Sequence, residues 1–129
     1  MPPLLIATTN AGKIREIRHL LAHWPDLLAL KDLPPIAEPE ETGATFAENA
    51  ALKARYYARS SALVTVAEDS GLVIDAIGGA PGVHSARYPG TTYPDKFRNL
   101  YAALGAAPRP WTARYVCAVA VVAPRGPEV

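Results

Sequence analysis

The chain has 129 residues, 50% of them hydrophobic and 19% charged, with a formal net charge of +1. That length fits one domain with a real core, and the composition excludes a disordered chain. The near-neutral balance excludes a strong field for nucleic acid, and no apolar run approaches the roughly 20 residues of a membrane span.

The one cysteine, Cys117, lies in an apolar run. It admits no internal disulfide framework, so an intracellular, cytoplasmic setting is expected, with Cys117 as a small buried hydrophobe. Leu4-Leu5-Ile6-Ala7 follows Met1-Pro2-Pro3 without a basic leader and reads as a short strand covered on both faces, not a signal peptide. Ala11-Gly12-Lys13 opens a helix. Ile14, Ile17, Leu21 and Trp24 share one of its faces, Arg15, Glu16, His19 and His23 the other, and Pro25 ends it. Leu27 to Leu30 is a second strand, giving a right-handed crossover and a parallel pair.

The turn Thr8-Thr9-Asn10-Ala11-Gly12-Lys13 gathers hydroxyls, an amide, a glycine and a lysine at a helix N-terminus, where free N–H groups favour anions. It is not a Walker A loop, since Ala7 and Ile14 stand where that motif needs Gly and Ser or Thr. The plainer reading makes Asn10 a helix cap and Lys13 a solvated lysine.

Lys31 to Gly43 is an extended acidic loop in which Pro34, Pro35 and Pro39 alternate with Glu38, Glu40 and Glu41. The next helix starts near Thr45, with Glu48 at capping-box spacing. Phe46, Ala50, Ala54 and Tyr57 form its buried stripe, and Asn49 and Lys53 sit together on the flank.

Leu63-Val64-Thr65-Val66-Ala67 is β-prone, and Leu72-Val73-Ile74 resumes that character after Glu68-Asp69-Ser70-Gly71. Those four residues read as a turn between two buried strands. Two carboxylates, a hydroxyl and a glycine there suit a hard cation and a phosphate, and they also suit an ordinary polar turn. The block Val83 to Gly90 carries Arg87, a candidate for phosphate or ribose; His84 has no metal-ligand spacing and reads as structural. Asp95 to Leu104 predicts a third helix with Phe97, Leu100, Tyr101 and Leu104 on one face, ended by Gly105. Thr112 to Ala123 predicts a long buried strand.

The ordered blocks resemble one family over nearly the whole chain: the inosine triphosphate pyrophosphatases. The matching stretches are Ala7 to Lys13, Glu40 to Ala50, Lys53-Ala54, Glu68 to Leu72 and Gly78 to Tyr88. The resemblance implies magnesium-dependent hydrolysis of deaminated (non-standard) purine nucleoside triphosphates, dITP, ITP and XTP, to monophosphate and pyrophosphate. It implies a mixed, partly parallel α/β sheet flanked by helices in two lobes, a homodimer, and no nucleic-acid or membrane partner. By its pattern Thr8, Thr9, Asn10, Ala11, Gly12, Lys13, Lys53 and Ser70 bind substrate. Asp69 is general base and metal ligand, and Glu40 and Glu41 help hold Mg2+.

Thr9 stands where the family has glycine, which would strain the turn if that residue needed positive φ. The family's later base-contacting blocks, a Phe-Gly-Tyr/Trp-Asp stretch, a lysine and a Ser-His-Arg stretch, do not occur here. The expectation is therefore residues 1–129 as the N-terminal portion of a single pyrophosphatase domain, C-terminally incomplete, holding dITP and dATP with similar weak affinity and hydrolysing either slowly or not at all. The alternative is an inactive truncated fragment that binds triphosphate or dimerises without turnover. A third reading, another α/β nucleotide hydrolase, would release orthophosphate.

Overall fold

The computed structural model describes residues 1–87, 92–125 and 129. β1 (Leu4–Ile6), α1 (Ala11–Leu20) and β2 (Leu27–Ala29) form the expected strand–helix–strand unit, with β1 and β2 parallel and Leu4 opposite Leu27. The helix stops earlier than its periodicity suggests. Leu21 and Trp24 lie beyond its end, yet both still pack with Ile14 and Ile17 against Leu4, Ile6 and Val66. The Trp24 indole N–H donates to the Pro2 carbonyl at 2.9 Å, which holds the ring in place without a helix beneath it. Leu30 belongs to a 3-10 turn, Leu30–Asp32, rather than to β2; the Asp32 carboxylate accepts the Ala29 N–H at 2.9 Å and starts that turn.

α2 (Phe46–Ser61) begins at the cap the sequence specifies. Thr45 Oγ1 accepts the Glu48 N–H at 3.1 Å, and Glu48 Oε2 accepts the Ala44 N–H at 2.7 Å. Ala50, Ala54, Tyr57 and Ala58 are buried against Leu5, Ala7 and Ala67, while Phe46 is only half-buried.

The expected turn at Glu68-Asp69-Ser70-Gly71 does not exist. All four residues lie inside one 11-residue strand, β3 (Val64–Ile74), which pairs in parallel with β1 through Val64–Val66. These residues continue a strand whose sheet neighbours are β1, paired no further than Val66, and β4. Gly71 is not among the described residues with positive φ. Its missing side chain serves a close approach instead: a Cβ there would lie 2.6 Å from the Gly82 carbonyl oxygen and would collide with Ser85. Gly71→Ala is therefore expected to cost about 1–3 kcal/mol as overpacking. A thermal melt checks it, with a fall of several degrees expected and an unchanged midpoint contradicting the contact.

α3 (Tyr93–Leu104) is capped by Thr92, whose Oγ1 accepts the Asp95 N–H at 3.2 Å. Of its predicted apolar face only Leu104 is buried; Phe97 and Tyr101 are exposed. β4 (Ala113–Val122) completes the mixed four-stranded sheet. The buried strand expected at Thr112 to Ala123 is corrected likewise. Ala120 and Val122 are buried, but Tyr115, Cys117 and Val119 are exposed. Tyr115, Cys117 and Val119 alternate with the more buried Val116, Ala118 and Ala120, so one face of β4 is left without cover among the described residues. The Arg87 side chain and Tyr88 to Gly90, candidates in the sequence, lie outside the described residues.

Two compact units divide the chain: residues 1–69 with 118–129, and residues 70–117. In the first, α1 packs with Leu4, Ile6 and Val66, whereas α2 packs with Leu5, Ala7 and Ala67. Alternate residues of β1 and β3 thus serve different helices, as the strand period of two requires. No described helix is long and apolar enough to cross a membrane.

Candidate active site

The same alternation distributes the acidic pair. Continuing past Val66 and Ala67, Glu68 falls in step with the α1 side and Asp69 with the α2 side. Both stand just beyond the last β1–β3 register pair, Ile6 with Val66, beside the turn that leaves β1. This is the carboxyl end of the parallel strands, where open α/β sheets bind ligands.

Each carboxylate meets a lysine from its own helix. Lys13 Nζ of α1 is ion-paired with Glu68 Oε1. Lys53 Nζ of α2 donates to the Glu68 backbone carbonyl at 2.7 Å, lies 3.2 Å from Glu41 Oε1 and 3.9 Å from Asp69 Oδ1. Lys53 thereby draws Glu41 of the acidic loop toward Asp69. Glu40, its predicted companion, is exposed.

Asn49 fixes the loop from beneath. It is 1% exposed, and its Oδ1 accepts the Gly43 N–H at 2.7 Å. A Cβ on Gly43 would come within 2.6 Å of that oxygen, so glycine is what lets the loop approach. The Asn49 side chain also hydrogen-bonds to the Asp69 carboxylate.

The turn before α1 is closed by its own residues. Asn10 Oδ1 accepts the Gly12 N–H at 2.9 Å and the Lys13 N–H at 3.2 Å, and Thr8 Oγ1 accepts the Asn10 N–H at 3.1 Å. The N-cap reading of Asn10 holds, and an anion reaching Gly12 or Lys13 N–H must displace the amide oxygen. Thr9 is exposed and is not among the described residues with positive φ, so the threonine in place of glycine adds no left-handed strain. Ser70, in the other unit, shares a 3.2 Å hydrogen bond with the Tyr115 hydroxyl.

Asp69 is 7% exposed, and its Oδ2 is buried without a hydrogen-bond partner among the described residues. Burial pushes its carboxyl above the usual range; the Lys53 ammonium and the Asn49 hydrogen bond oppose this, Glu41 adds to it, and Lys13 lowers it further. An orphaned carboxylate oxygen with a second carboxylate, Glu41, drawn toward it is a donor set of hard oxygens, which fits Mg2+. No group of three His, Cys, Asp or Glu among the described residues forms a ready metal cage. Magnesium is commonly held by one or two carboxylates, water and substrate phosphates, so that shortfall agrees with the ion.

A model of the Ham1 family matches residues 4–129. The chain belongs to the Ham1 family.

Within that family it is similar to the dITP/XTP pyrophosphatase of Listeria monocytogenes, 45% identical over 128 residues, covering 96% of this chain and 63% of the relative. The dITP/XTP pyrophosphatase of Symbiobacterium thermophilum is 48% identical over 126 residues, with 97% and 64% covered. The chain thus spans just under two thirds of these curated relatives. Among solved structures it matches the nucleoside-triphosphatase / dITP/XTP pyrophosphatase of Mycobacterium abscessus at a TM-score of 0.85 and 38% identity, covering 98% of this chain and 68% of that one. The Staphylococcus aureus Ham1 protein matches at 0.84 and 32%, with 98% and 66% covered. The Ham1 fold agrees with the mixed α/β sheet that the motifs imply.

For this Ham1 chain the structure forms two ionic groups at β3, Lys13 with Glu68 and Lys53 with Glu41 and Asp69, linked by the hydrogen bond from Lys53 to the Glu68 backbone carbonyl. Sequence reasoning passed over Asn49, whose only signal was an amide beside the buried stripe of α2. It offered Glu68 only as one of two carboxylates for a cation, and did not foresee its pairing with Lys13 of α1.

Proposed function

We propose that the chain is a nucleoside triphosphate pyrophosphatase that, with Mg2+, hydrolyses deaminated purine nucleoside triphosphates (dITP, ITP and XTP) to monophosphate and pyrophosphate. In this reading residues 1–129 form the N-terminal portion of one pyrophosphatase domain, working as a cytoplasmic homodimer that cleanses the nucleotide pool. The observation that carries it is the buried Asp69 Oδ2, unpartnered among the described residues, on a carboxylate whose other oxygen lies 3.9 Å from Lys53 Nζ. The names of the relatives from Listeria and Symbiobacterium supply the substrate class.

In this mechanism Lys13 and Lys53 offset the charge of the phosphates, and Thr8, Thr9, Asn10, Ala11 and Gly12 line the turn that receives them. Asp69, with Glu41 and Glu40, would hold the magnesium. When bound, that ion neutralises phosphate charge and lowers the pKa of water. Asp69 Oδ2 takes the proton of the water that attacks the α-phosphorus, and burial, which raises the basicity of that carboxylate, suits it to the task. Ser70 contacts the substrate through its hydroxyl. Pyrophosphate leaves with its charge held by Lys13.

Lys13→Ala tests this arrangement. Losing one charge-assisted contact is expected to weaken triphosphate binding about ten- to a hundred-fold and monophosphate binding far less. Calorimetric titration with dITP and dIMP reads both. Equal losses would put Lys13 away from the β- and γ-phosphates, and triphosphate binding without pyrophosphate release would favour the silent-binder alternative.

A further inference from the structure

Lys13, assigned above to the phosphates, already holds an anion. Its ammonium pairs with the Glu68 carboxylate, the side chains being 27% and 11% exposed. A carboxylate offers a lysine what a phosphate does, an anionic oxygen at hydrogen-bonding distance. Lys53 also meets carboxylates, Glu41 at 3.2 Å and Asp69 at 3.9 Å, but it has a further hold. The Glu68 backbone carbonyl fixes it at 2.7 Å, and a carbonyl stays in place whatever a ligand does.

We propose that Glu68 is a positioning residue that competes with phosphate for Lys13, so that a ligand gains this lysine only by displacing a carboxylate. The proposal rests on the triphosphate reading of the site and adds a role to a residue that the reading left idle. An affinity that depends on Lys13 is reduced by the fraction of molecules in which Lys13 is free of Glu68. The cost falls on the β- and γ-phosphates that this lysine meets. It therefore falls on departing pyrophosphate as well, and re-forming the Lys13–Glu68 pair helps expel that product. A nucleoside monophosphate, which does not use Lys13, escapes the cost.

The experiment is a double-mutant cycle read by calorimetry, with inorganic pyrophosphate as the probe and magnesium held constant. Glu68→Gln keeps the shape and removes the charge; Glu68→Leu repeats the cycle should the amide variant fold poorly. With Lys13 present, either change is expected to tighten pyrophosphate binding about ten-fold, the gain if roughly one molecule in ten has Lys13 free. In a Lys13→Met background the same change is expected to alter affinity less than two-fold. Binding of dIMP should not move in any variant. An equal gain in both backgrounds would reduce Glu68 to a nearby negative charge and overturn the proposal, as would no gain at all. If neither pyrophosphate nor tripolyphosphate binds any variant, with or without magnesium, the triphosphate reading itself falls along with the competition.

Discussion

Asp69→Asn is expected to cut turnover by about a hundred- to ten-thousand-fold, the usual contribution of a general base, while leaving triphosphate affinity nearly intact. The amide keeps the shape of the carboxylate, so the neighbourhood of Asn49 and Lys53 is preserved, but it cannot take a proton from water. The same substitution is expected to raise the melting temperature at neutral pH. Burial raises the carboxyl's pKa in the folded chain above its unfolded value, so the ionised form is disfavoured by folding. The cost is absent below the unfolded carboxylate pKa, grows as pH rises through the interval up to the raised folded value, and is complete above it. Parent and variant should therefore melt together in acid and diverge toward neutrality, with the variant the more stable. Melts across that range together with steady-state kinetics check both halves. A variant that keeps most of its turnover would leave Asp69 as a strand residue only, and one that melts lower at neutral pH would mean that the charge is well compensated.

Lys53→Ala is expected to destabilise the fold by about 2–4 kcal/mol, toward the low end of what breaking a buried ion pair costs. The Lys53 side chain is 15% exposed and Asp69's is 9%, so the charges left behind are poorly solvated. The change strands the Glu68 carbonyl, frees Glu41 from the site and removes the nearest cation from Asp69. Lys53→Met restores the packing of the stem without the charge and should recover less than half of the loss. Urea unfolding measures all three proteins, and a Lys53→Ala cost under about 0.5 kcal/mol would show the contacts to be solvent-screened.

Local chemistry was legible in the sequence. The Thr45–Glu48 cap, the Asn10 cap and the parallel β1–β2 pair follow from spacing within a few residues, and the structure has them. The continuity of β3 was not legible, because Glu68 to Gly71 is turn chemistry by composition and the strand that runs through it is set by the sheet, not by local sequence. The open face of β4 was equally hidden: the apolar run around Cys117 reads as buried, yet its alternate residues Tyr115, Cys117 and Val119 are exposed. For the site, motif order singled out Lys13, Lys53 and Asp69 as candidates, and the structure gives Lys53 a contact with Asp69 and Lys13 one with Glu68. The Lys13–Glu68 pair links residues on different elements, and the Asn49–Gly43 bond depends on how the acidic loop folds back on α2. Neither contact has a local signature.

The most direct test of the account is the identity of the products released from dITP in the presence of magnesium. Hydrolysis at the α-phosphorus predicts dIMP and pyrophosphate in equal amounts, no orthophosphate, and loss of both products in Asp69→Asn. Orthophosphate with dIDP would contradict it, as would full product release by the Asp69→Asn chain.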